Sequence, residues 1–285
     1  MRWEGRRGSG NIEDRRGMGV RLPIGGGIGG IVLLLLFSAL TGTNPIDLIN
    51  VGGGDAAPPV GTTGVREDDP QSQFVSVVLA DTEETWRKIF DERGDAYTPP
   101  ILVLFTQATS SACGTGSSAM GPFYCPADRR VYLDLSFFRD LDQQFGAPGD
   151  FAQAYVIAHE VGHHVQAAMG LSERMAGMRE RLDERQANAL SVRQELQADC
   201  YAGVWGFYAA KRGLLEAGDA EEGLRAAAAI GDDRLQRQKQ GQVVPESFTH
   251  GSSVHRVDWL RRGMDAGRPE TCDTFSSESS RDRGM

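Results

Sequence analysis

Residues 159–163 read H-E-V-G-H. On an α-helix, residues four apart lie ~40° apart around the axis, so His159 and His163 would share one face and both imidazoles could reach a single tetrahedral metal ion. Glu160 would sit on an adjacent side of the same turn. There it could hydrogen-bond a metal-bound water, take its proton during attack on an amide carbonyl, and pass it to the leaving amine. Zinc suits this set, because it lowers the pKa of bound water to about 7 and polarises a carbonyl. The competing reading is a surface helix with exposed His and Glu. Against it, Ala154, Tyr155, Ile157, Ala158, Val161 and Gly162 surround the motif with apolar or small residues. The helix is therefore expected to be buried, where unpartnered polar groups are costly.

A catalytic zinc has three protein ligands and one open position, so a third ligand is required. Glu195 is the candidate. In V-R-Q-E-L-Q-A-D-C-Y-A-G-V-W, residues 192–205, Glu195 and Asp199 are four apart on a second helix. Glu195 would bind the metal, and Asp199 would accept a hydrogen bond from the far nitrogen of a ligand imidazole. On spacing alone, a helix with a solvated acidic edge explains the pattern equally well.

H-E-x-x-H followed by E-x-x-A-D is similar to the gluzincin metallopeptidases, especially the membrane-bound heat-shock and prenyl-protein proteases. That resemblance implies the Glu of the second motif, here Glu195, as third ligand. More closely, S-A-C-G, S-S-A-M-G-P-F-Y-C-P, V-Y-L-D-L-S-F-F, H-E-V-G-H-H-V-Q, E-L-Q-A-D-C-Y-A-G-V-W and F-T-H-G-S-S resemble blocks of the bacterial neutral zinc metallopeptidase family, the YpfJ-like group. The resemblance implies a zinc-dependent endopeptidase acting on a protein or peptide, with Glu160 as general base to a zinc-activated water. It also suggests that His250 or Arg256 lies near the substrate carbonyl and stabilises the oxyanion, while a helix N-terminal loop with Ser252 or Ser253 as cap and Arg256 in a structural ion pair explains these residues equally well. This chain has Gly251 where the related gluzincins have Pro. His164 points about 100° from His163 and is not expected to share its metal. His255 reads as a surface residue. Residues 117–124 could form an edge against which an extended peptide pairs, or a disulfide-bound turn. Two other functions compete: a zinc-binding envelope protein or adaptor with vestigial or no hydrolysis, and a hydrolase of non-peptide amides. A base at position 160 favours catalysis.

The elements that must position these residues are mostly helical. Residue 150 is a candidate N-cap for a helix over 151–169 closed by Gly170. Further helices are expected near 74–94, 174–190, 193–212, 220–231 and 252–264, with short strands at 101–106, 123–125 and 130–135. The fold class is α+β, a mainly helical zincin-like domain with a small antiparallel sheet. A net charge of −9, with Arg concentrated in residues 1–21, excludes a nucleic-acid partner. Residues 22–43 carry no ionisable side chain and are long enough for a transmembrane helix, a cleaved signal peptide being the alternative. The positive-inside rule then makes 1–21 a basic cytoplasmic segment of a single-pass membrane protein. Residues 44–70 read as a flexible linker, 71–273 as an extracytoplasmic metallopeptidase domain and 274–285 as a disordered tail. Cys113, Cys125, Cys200 and Cys272 fit disulfides in an oxidising compartment. Cys113 with Cys125 and Cys200 with Cys272 is one of three possible pairings.

Overall fold

A computed structural model describes residues 1–17, 62–66 and 68–276. Its elements are β1 (Ile12–Asp14), β2 (Thr62–Thr63), α1 (Pro70–Glu92), β3 (Ile101–Phe105), β4 (Ala108–Ser111), β5 (Gly114–Ser117), β6 (Phe123–Cys125), β7 (Arg130–Asp134), α2 (Ser136–Gln143), α3 (Asp150–Ala168), α4 (Leu171–Arg179), α5 (Glu184–Lys211), α6 (Asp219–Ala229), α7 (Asp232–Gln240) and α8 (Ser253–Ala266).

The α+β class holds, but the main sheet is mixed rather than antiparallel. Its order is β2-β1-β3-β7-β6, with β3 parallel to both β1 and β7 and only the outer pairs antiparallel. β3 explains the difference. Its I-L-V-L-F run is buried at four of five positions, as suits a central strand covered on both faces. The strands β4 and β5 form a separate hairpin.

The N-terminal segment was expected on the far side of a membrane from the domain. In its described part it belongs to the domain. Ile12, Glu13 and Asp14 pair in register with Leu102, Val103 and Leu104. Ser9 Oγ and Asn11 Nδ2 donate to the Glu83 carboxylate at 2.6 and 2.8 Å, partnering an acid of α1 that is 5% exposed. Trp3 packs edge-on against Phe74. The folded body thus begins well before residue 71. The expected transmembrane helix, 22–43, lies outside the described residues, and among those described no helix is long and apolar enough to cross a membrane. Moreover, β1 and β2, which flank that stretch, pair as Glu13↔Thr63 and Asp14↔Thr62. One crossing would separate residues 12–14 from 62–63, whereas the sheet holds them together. The described residues on either side of that stretch therefore lie in one sheet, against the expected separation of a cytoplasmic segment from the domain.

The helical boundaries also shift. Asp69 caps α1 by accepting from the Gln71 and Ser72 amides, ahead of Pro70 at the first helical turn. Gly149, not Asp150, is the N-cap of α3, and Gly170 follows the helix with φ 72°. The expected helices 174–190 and 193–212 break earlier. Asp183 and Gln186 form a capping box, so α5 starts at Glu184 and runs through the Glu195 region as one 28-residue helix.

Three helix contacts place the site. Gly162 of α3 faces Ala198 of α5 so closely that a Cβ at 162 would sit 2.9 Å from the Ala198 carbonyl oxygen. Gly203 of α5 and Gly263 of α8 lie backbone to backbone; a Cβ at 263 would stand 2.0 Å from the Cys200 carbonyl oxygen. Small residues thus let α3, α5 and α8 approach far more tightly than ordinary side chains allow. Phe151 stacks on Trp205 at 5.6 Å and fixes the other end of the α3–α5 pair.

Candidate metal centre

The close approach at Gly162 brings His159 and His163 of α3 opposite Glu195 of α5. Their ligand atoms lie within 4.8 Å of one another. His159 Nε2 is 3.2 Å from Glu195 Oε2, and His163 Nε2 is 3.4 Å from Glu195 Oε1. Each ring thus faces its own oxygen of the Glu195 carboxylate, and one atom from each of the three residues is close enough to the others to converge on a single ion. The donor set, two imidazoles and one carboxylate, is chemically suited to zinc with one position open.

Each ring nitrogen facing away from the ligand cluster has a partner. His159 Nδ1 lies 2.8 Å from Asp199 Oδ1, and His163 Nδ1 lies 2.9 Å from Gln166 Oε1. Asp199 is wholly buried and also accepts from Tyr155 Oη at 2.6 Å and from Arg256 Nε and Nη2 at 2.8 and 2.9 Å. Burial alone would raise the Asp199 pKa, but Arg256 and His159 hold it at about 2. Burial would likewise lower His159, yet the charge and hydrogen bond of Asp199, with Glu195, push it up to about 10. Burial opposes and His163 and His159 outweigh it for Glu195, whose pKa falls well below the usual carboxylate range. The pocket's field thus favours positive charge between the two rings and the carboxylate, whether that charge is a proton or a metal ion.

Glu160 is 8% exposed, and among the described residues no protein group hydrogen-bonds its carboxylate. His250, with a side chain 54% exposed, lies within electrostatic reach of Glu195. Its Nδ1 is 3.2 Å from Asp232 Oδ1, while Asp232 Oδ2 accepts from the amides of Thr249, His250 and Gly251. That hydrogen bond raises the His250 pKa against its burial, and the Glu195 charge adds to it. A Cβ at Gly251 would lie 3.2 Å from Leu196 and 3.3 Å from Val192, so the loop rests on α5 on either side of Glu195.

Arg256 forms an ion pair with Asp199. It is 3% exposed and sits behind His159, on Asp199, Tyr155 Oη and the Ile230 carbonyl, not at the open side of the metal position. The Gly203–Gly263 contact seats α8 so low on α5 that the guanidinium is spent on Asp199. His164 is outside the ligand set, as expected. Its Nε2 donates to the Thr98 carbonyl at 2.8 Å and its Nδ1 lies 3.2 Å from Tyr124 Oη, tying α3 to β6. The disulfides are Cys113–Cys125 and Cys200–Cys272. Tyr155, Gln166 and Asp232 were not singled out from the sequence. Tyr155 is four before His159 and Gln166 three after His163, so helical spacing carried a signal for both. Asp232, 18 residues from His250, carried none.

A histidine pair on one buried helix, closed by a carboxylate from the next and backed by a buried Asp, defines a metal centre of the zinc metallopeptidase type. The chain belongs to the family described as "Putative neutral zinc metallopeptidase", whose model matches residues 1–275. It is 49% identical to the uncharacterized protein YpfJ of Escherichia coli (strain K12) over 286 residues, covering 96% of this chain and 99% of that one. It is 39% identical over 232 residues to the uncharacterized proteins Mb2605 of Mycobacterium bovis and Rv2575 of Mycobacterium tuberculosis, covering 78% of each chain. No solved structure matches. The family implies Zn2+ as the metal, and the donor set fits it.

Proposed function

We propose that the protein is a zinc-dependent endopeptidase whose metal is held by His159, His163 and Glu195. When bound there, zinc supplies a Lewis acid that acidifies water and polarises a scissile carbonyl. Glu160 takes the proton from the attacking water and delivers it to the leaving amine. The observation that carries this reading is Glu160 itself. It is a nearly buried carboxylate beside the ligand cluster with no hydrogen-bonding partner among the described residues, which leaves it available as a base, a group that a structural metal site has no need of. Asp199 fixes the His159 tautomer through Nδ1 and leaves Nε2 for the metal. His250, oriented by Asp232, is the group that donates to the developing oxyanion, and Arg256 acts through Asp199 instead. The substrate is a protein or peptide. The two disulfides support an oxidising compartment as the place of action.

The test is a cleavage profile of peptide libraries by the zinc-loaded full chain and its Glu160→Gln variant. The expected result is cleavage by the parent and a loss of several orders of magnitude in the variant, with zinc retained. Equal turnover would remove Glu160 from the chemistry, and no cleavage by the zinc-loaded parent would favour a binding role.

A further inference from the structure

The two metal-binding histidines are oriented by different devices. A carboxylate backs His159. Behind His163 there is instead a chain of amides that runs to a disulfide. Gln166, wholly buried, places Oε1 2.9 Å from His163 Nδ1. Its Nε2 donates to the Gln194 carbonyl at 2.7 Å and to Gln197 Oε1 at 3.1 Å. Gln197 Nε2 in turn donates to the Cys272 carbonyl at 2.9 Å. Cys272 is bonded through its sulfur to Cys200, one turn along α5 from Gln197.

The far end of this chain dictates the near end. A backbone carbonyl only accepts hydrogen bonds, so the carbonyls of Gln194 and Cys272 require Nε2 of each glutamine to face them. Gln166 Oε1 must then face His163, whose Nδ1 carries the proton and whose Nε2 presents its lone pair beside Glu195. The segment that supplies the last carbonyl is attached to α5 at three successive points. These are the Cys200–Cys272 bond, the Gln197 hydrogen bond, and Thr274 Oγ1 donating to the Arg193 carbonyl at 2.7 Å.

We infer that Gln166 and Gln197 are positioning residues for His163, and that the Cys200–Cys272 disulfide, by holding the Cys272 carbonyl in place, sets the zinc affinity of the site. The inference rests on the reading of His163 as a metal ligand. It gives the two disulfides different duties: Cys113–Cys125 ties the β4–β5 turn to the end of β6, while Cys200–Cys272 terminates the relay behind the metal.

The experiment uses the full chain and measures zinc affinity by competition with a chromophoric chelator, alongside the visible spectrum of the cobalt-substituted protein. Loss of a hydrogen-bonding group behind a ligating histidine typically weakens metal binding about 10–100-fold, which is the expectation for Gln166→Met. Gln166→Glu keeps an acceptor for His163 while setting a carboxylate against the Gln194 carbonyl. It should lower thermal stability yet hold zinc within a few-fold of the parent, an outcome that a purely structural glutamine would not give. The Cys200→Ala/Cys272→Ala pair should weaken zinc about 10-fold and alter the cobalt spectrum, whereas Cys113→Ala/Cys125→Ala should leave both unchanged. Equal affinities for Gln166→Met and the parent would overturn the relay. So would equal effects of the two cysteine pairs. A parent that binds no zinc would instead overturn the metal reading on which the relay rests.

Discussion

Replacing Arg256 with Met separates two accounts of the same residue. The guanidinium is 3% exposed and donates twice to a carboxylate that is itself fully buried, at 2.8 and 2.9 Å. Removing one partner of such a pair leaves an uncompensated buried charge and costs about 3–5 kcal/mol. Two further losses add to this, because Tyr155 Oη and the Ile230 carbonyl each lose a donor. A domain of this size shifts by about 2–4 °C per kcal/mol, so the melting temperature of zinc-free Arg256→Met should fall by on the order of 10 °C. Asp199 would also be less firmly held behind His159, and zinc affinity should fall about 10-fold or more. Circular dichroism melts and chelator competition read both effects without any substrate. If stability and zinc affinity match the parent and only turnover falls, Arg256 faces the substrate and the structural placement of α8 is wrong.

Ser9→Ala with Asn11→Ala should strip Glu83 of two donors and lower unfolding free energy by about 2–4 kcal/mol in a denaturant titration; an unchanged midpoint would show that residues 1–17 are not part of the domain. Gly162→Ala should weaken zinc binding despite an intrinsic helix gain of about 1 kcal/mol, because its Cβ would stand 2.9 Å from the Ala198 carbonyl oxygen and drive α3 from α5. Zinc binding equal to the parent would contradict that close approach. Burial lowers the His164 pKa from 6.5 to about 4. Between those values the unfolded chain binds the extra proton, so this group's stabilisation is complete above pH 6.5 and lost as pH falls toward 4, by up to about 3 kcal/mol. His164→Gln, which keeps a donor for the Thr98 carbonyl, should flatten that dependence in the zinc-free protein, and an unaltered slope would assign it elsewhere.

The chemistry was legible in the sequence because it is written at helical spacing. His159, Glu160 and His163 fall within two turns of one helix, and Glu195 and Asp199 within two turns of another, so periodicity and side-chain type were enough to nominate them. That the two helices meet there follows from Gly162 and Ala198, whose small size is visible in the sequence but whose partnership is not. Which of its two expected places Arg256 takes was not legible, because its direction depends on the Gly203–Gly263 contact between α5 and α8, a tertiary fact with no local signature. The N-terminal segment was misread for the same reason. Its arginines and the apolar run after it suggested a membrane boundary, while β1 is three residues long and identified only by its pairing with β3. Such short elements take their structure from the neighbours that receive them, not from their own propensity. Gln166 and Gln197 look like ordinary helical glutamines until the Cys272 carbonyl is brought against them.

The most direct measurement is zinc binding by the full chain and by Glu195→Ala, each titrated against the same chromophoric chelator. The geometry predicts one zinc per parent chain and a large loss of affinity in the variant, because the only carboxylate within tetrahedral reach of both histidines among the described residues has been removed. A folded parent that takes up no zinc, or a Glu195→Ala protein that binds it as tightly as the parent, would contradict the site described here.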